Sequence, residues 1–91
     1  MTEGLTRIVD EIVRAKLTPY GLDHVDIRED VDHDNEPALF IDAVLKPNSQ
    51  LIEADIYNGA HRALRDALVK FGEHRFPYFF IRHPDEERAE P

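Results

Sequence analysis

The chain contains no cysteine and no tryptophan. Without thiols it can form neither a disulfide nor a thiolate metal site, which excludes a cysteine nucleophile, a thiolate zinc finger and an iron–sulfur centre. Stability must then come from packing, and 91 residues supply only the modest core of one small domain. Serine occurs once, at Ser49, ahead of a helical pattern where capping accounts for it, so no Ser/His/Asp triad can be built. Gly4, Gly21, Gly59 and Gly72 are isolated from one another, which excludes a glycine-rich phosphate loop. No apolar run approaches the roughly 18–20 residues of a membrane span. The opening residues, "MTEGLTRIVDEIV", set acids inside an apolar pattern with no basic lead, so the expectation is no secretion signal and a cytoplasmic location.

Acid is abundant and unevenly placed. The net charge is −8, and residues 22–36 alone hold seven acids against one base, while residues 1–21 hold three of each. A field of this sign repels phosphate backbones and attracts cations or a basic protein surface.

The first periodic segment, "LTRIVDEIVRAKL", places Leu5, Ile8, Val9, Ile12 and Val13 on one helical stripe, with Thr2 as its expected N-cap. "TPYG" ends it. "LDHVDIREDV" alternates, with Val25, Ile27 and Val31 on one face and Asp26, Arg28 and Asp30 on the other, which predicts a strand. The polar turn "DHDNEP" leads into a second strand, "ALFIDAVLK", whose faces are Leu39, Ile41, Ala43, Leu45 and Ala38, Phe40, Asp42, Val44. A short polar loop between two such strands predicts an antiparallel hairpin. "LIEADIYNGAHRALRDALVKF" predicts a long helix, with Asn48 or Ser49 as N-cap and Gly72 beyond its end. Gly59 inside it weakens the helix and suggests a close approach by another backbone. "RFPYFFIRH" is a last strand, and Pro77, which has no N–H, places it at an edge or marks where it begins.

The order α–β–β–α–β predicts an α+β fold, a two-layer sandwich with both helices on one face of a three-stranded mixed sheet. The favoured spatial order is 2-1-3, with the first strand central, and 1-2-3 is the alternative. Residues 1–83 form the expected domain, and 84–91 an acidic, disordered tail. In element order the chain resembles the KH-like domains of ribosome-associated RNA-binding proteins. The resemblance implies RNA binding, with Arg62 and Arg65 as the basic residues on the helix, but the GXXG loop those domains use is absent.

If both helices cover one face, Phe40 and Val44 are left on the other, beside aromatic residues of "FPYFF". The expected interface is Phe40, Val44, Phe76, Tyr78 and Phe80, covered by a symmetric homodimer or a protein partner. The competing arrangement sends the N-terminal helix across that face. A second expected surface is acidic: Asp26, Asp30, Asp32, Asp34 and Glu36. Asp30, Asp32 and Asp34 alternate like the first ligands of a calcium loop, but no glycine stands at the sixth position and Ile41 stands at the twelfth, so no metal is assigned. No cofactor is expected. The function read from these features is a non-enzymatic, acidic protein-interaction or regulatory module. The alternative is a small metal-dependent or acid/base enzyme using Glu53, Tyr57 and His61, or the hairpin carboxylates. The second alternative is the KH-like RNA binder.

Overall fold

Leu5, Val9, Val13 and Leu17 recur every four residues, and they are the buried residues of helix α1, Glu3–Leu17. In the computed structural model, which describes residues 3–84, the helix runs into a short 3-10 turn, Thr18–Tyr20. Thr2, the expected cap, lies outside the described residues, as does the tail beyond Pro84. Gly21 closes the turn at φ 95°, its N–H donating to the Thr18 carbonyl. A side chain here would be strained by that φ and would also meet Ser49 Cβ at 2.9 Å, so two separate constraints require glycine.

Strands β1, Leu22–Val31, and β2, Pro37–Leu45, form the antiparallel hairpin, with a register irregularity between Leu22 and His24. Asp32 builds the turn. Its carbonyl accepts from the Asn35 N–H at 2.9 Å, its N–H donates to the Glu36 carbonyl at 2.9 Å, and one carboxylate oxygen accepts from the N–H groups of Asp34 and Glu36. Asn35 takes φ 65°, a conformation that asparagine tolerates better than most residues.

Helix α2 spans Ala54–Phe71 and starts three residues later than the apolar pattern predicts. Neither Asn48 nor Ser49 caps it. Asn48 adopts φ 67°, Ser49 N–H closes a turn on the Lys46 carbonyl, and Glu53 takes the N-cap position without a side-chain bond. The buried Ser49 hydroxyl has no hydrogen-bond partner among the described residues. The turn that brings the chain back under Gly21 therefore sets where the helix can begin. Among the described residues a Cβ at Gly59 would meet nothing within 4 Å, so no backbone of theirs outside the helix approaches it closely.

Strand β3, Phe76–Arg82, pairs parallel to β2, and the sheet order is β1-β2-β3. The favoured order with β1 central is thus overturned in favour of its alternative. Charge gives the reason. β1 carries Asp26, Arg28, Glu29 and Asp30 in one short run, which suits an edge, whereas β2 is apolar enough to be flanked on both sides. Both helices lie on one face, as the pattern predicts for this α+β fold. Leu5, Val9, Val13 and Leu17 of α1 and Ala60, Leu64 and Leu68 of α2 close over Leu39, Ile41, Ala43, Leu45 and Phe79 in a single core. Gly4 against the Phe71 ring marks where the start of α1 meets the end of α2.

Candidate interaction surface

Register places the aromatic side chains. Phe40 of β2 stands opposite Tyr78 of β3 and Arg28 of β1, all on the face away from the helices. The Phe40 and Tyr78 rings stack at 5.2 Å between centroids, Phe76 meets Tyr78 edge-on at 4.9 Å, and the Arg28 guanidinium sits 4.8 Å from the Phe40 centroid. These are favourable geometries for rings and a cation. Further along, Arg82 covers Phe80 at 5.2 Å and reaches Asp42 at 3.3 Å. α1 does not cross to this side. Its buried residues all join the core on the other face.

The five residues expected at an interface, Phe40, Val44, Phe76, Tyr78 and Phe80, therefore fall on one side of the sheet by register, with Phe76 at its margin against the His61 ring of α2 at 5.8 Å. They are unequally exposed: Phe76 and Phe80 keep 44% and 39% of their surface, whereas Phe40, Val44 and Tyr78 are half-buried against their neighbours. Arg28 and Arg82 belong to the same surface and were not among the expected residues. Strand alternation already put Arg28 on this face, but its position over Phe40 depends on the hairpin register.

The acidic residues divide by role. Asp26 and Asp30 are exposed on the open face of β1, while Asp34 and Glu36 are exposed at the turn. Asp32 is tied into the fold: besides the backbone bonds of the turn, it accepts from the Tyr78 hydroxyl at 3.0 Å. Its carboxyl is held below the usual range, chiefly by the Glu36 N–H, and it pushes the Tyr78 hydroxyl up in turn. His24 lies between Asp23 and Asp26, at 2.9 and 3.3 Å, and its pKa is raised first by the bond to Asp23.

Tyr57 and His61 point at backbone. The Tyr57 hydroxyl donates to the Phe79 carbonyl at 2.6 Å, and His61 Nε2 lies 2.9 Å from the Pro77 carbonyl, so that nitrogen carries the hydrogen. Both carbonyls lie on the outer edge of β3, where Pro77 lacks an N–H. Glu53 is exposed at the helix start, and among the described residues no hydrogen bond joins it to His61. Burial raises the Tyr57 hydroxyl, away from the range of a working acid or base near neutrality. Among the described residues no three His, Asp or Glu side chains converge to hold a metal ion. Arg62 and Arg65 are exposed on α2, and Arg65 lies 6.0 Å from the Phe76 ring centroid. Among the described residues no helix is long and apolar enough to cross a membrane.

Comparison with family models, with curated proteins and with solved structures finds no match for this chain.

Proposed function

We propose that this chain is a non-enzymatic protein-interaction module that engages a protein partner through the open face of its sheet, with the acidic hairpin alongside. The observation that carries the reading is the aromatic run Phe40–Tyr78–Phe76, with Phe80 further along β3, on the sheet face opposite the core, with Phe76 at its margin where it also meets His61 of α2. Ring faces left at a surface are what interfaces most often use, because aromatic side chains bury large area at small entropic cost. The acids around the run, Asp26, Asp30, Asp34, Glu36 and Asp42, outnumber Arg28 and Arg82, so the complementary surface is basic. The Tyr57 hydroxyl and His61 Nε2 are engaged by backbone carbonyls, which weighs against the acid/base reading.

The test is affinity capture from the source cell, identification of the captured protein, and titration of that purified protein against variants. Phe80→Asp and Phe76→Ser are expected to weaken binding at least about ten-fold while the melting temperature stays close to wild type. Equal binding by both variants, or loss of binding only when exposed α2 residues such as Arg62 are changed, overturns the reading.

A further inference from the structure

The two edges of the sheet differ. On β3 the outward carbonyls of Pro77 and Phe79 are capped by His61 and Tyr57. On β1 the direction of the backbone follows from the turn. Asp32 N–H bonds the Glu36 carbonyl, and antiparallel ladders alternate, so Asp30, Arg28 and Asp26 bond across to β2. Val25 and Ile27 then direct their N–H and C=O groups away from the sheet. No side chain of the described residues caps them. Above them, on the helix side, lies an open groove of about 430 Å³ between Glu3, Arg7 and Asp10 of α1 and the half-buried side chains of Val25 and Ile27.

We propose that this edge pairs with a second copy of the chain, β1 against β1, antiparallel and centred on Ile27, joining two sheets into one. Compared with centres one residue to either side, the charges of β1 favour that register. Centring on Ile27 sets Asp26 of each copy opposite Arg28 of the other, and His24 opposite Asp30. Centring one residue earlier sets Asp26 against Asp26. Centring one residue later sets Arg28 against Arg28 and Asp26 against Asp30. Directly opposed like charges are destabilising in an antiparallel pair. A shift that opposes residues of unlike parity turns one copy over, bringing the charged face to the helix side. In the selected register Ile27 meets its own counterpart, and Val25 and Ile27 of each copy border the groove of the other. The paired backbone edge does not involve the rings of the aromatic face, although Asp26, Arg28 and Asp30 project on that side, and the inference stands whether or not that face binds a partner.

Sedimentation velocity over a concentration series, in about 0.15 M salt so that the net charge of each copy is screened beyond roughly 8 Å, reads the outcome. Wild type is expected to reach twice the chain mass. Arg28→Asp places acid against acid in the pair and is expected to weaken dimerisation at least about ten-fold. The double variant Asp26→Arg with Arg28→Asp restores opposite charges across the pair and is expected to return the dimer to within about three-fold of wild type. Arg28 also touches Asp30 and Phe40 within the chain. Rescue by the double variant separates the two roles, and thermal melts confirm that each variant is folded. A wild type that stays at single-chain mass, even if it takes up a lysine-rich extended peptide along β1, overturns the proposal. So does a double variant that remains monomeric.

Discussion

Tyr78 and Asp32 lie 46 residues apart in the chain and 3.0 Å apart in space. Their bond ties the hairpin turn to the far strand. Sequence patterning placed Tyr78 on the open face and Asp32 in a turn, but could not join them, because their distance depends on a hairpin register and a crossover that no local pattern encodes. Arg28 over Phe40 is legible one step further. Once Val31 is set against Pro37 by the turn, counting back along both strands brings residue 28 opposite 40. Glu73 was not legible at all. It accepts from Arg75 at 2.7 and 3.0 Å, and from the Arg75 N–H, and these bonds hold its carboxyl down to about 2 from an ordinary 4.5. A folded pKa below the unfolded one means stability present above about pH 4.5 and lost as pH falls toward 2. Glu73→Gln is therefore expected to cost about 1–2 kcal/mol at pH 7. Melts of both proteins from pH 7 to pH 2 should converge at the acid end. A gap that stays constant across that range refutes the assignment.

At the scale of elements, existence, type and facing were legible in the alternation and helical stripes, and the errors fell at junctions. The α2 start was misplaced because Ser49 resembles a cap by identity, while the packing of its Cβ against Gly21 places it in the preceding turn. Strand order is not written in alternation, which β1 and β2 share. The charges of β1 are what suit it to an edge. Gly59 illustrates the converse case. Among the described residues nothing uses the space where its side chain would stand, so Gly59→Ala is expected to raise stability by about 0.5–1 kcal/mol through helix propensity and the unfolded state. Chemical denaturation measures it. A loss of stability instead would mean that something outside the chain packs against that helix face.

For the whole molecule the edges matter more than any single contact. The apolar face of the sheet is sealed by two helices, and along the edge at β3 the carbonyls of Pro77 and Phe79 are taken up by His61 and Tyr57 while Pro77 offers no N–H. Replacing these by Pro77→Ala, Tyr57→Phe and His61→Phe keeps the apolar area and frees the edge. The triple variant is expected to grow into large species by light scattering under conditions where wild type does not. Unchanged scattering from a folded triple variant would show that the caps do not guard the edge. The contrast between the two edges has a counterpart in polymer chemistry. A unit with two reactive ends propagates without limit, whereas a unit with one reactive end couples once and stops. Because α2 engages the β3 edge while no side chain of the described residues caps Val25 and Ile27 of β1, the proposed pairing makes this chain a unit of the second kind. A second copy that adds at β1 brings its own guarded β3 edge and ends the assembly as it forms it.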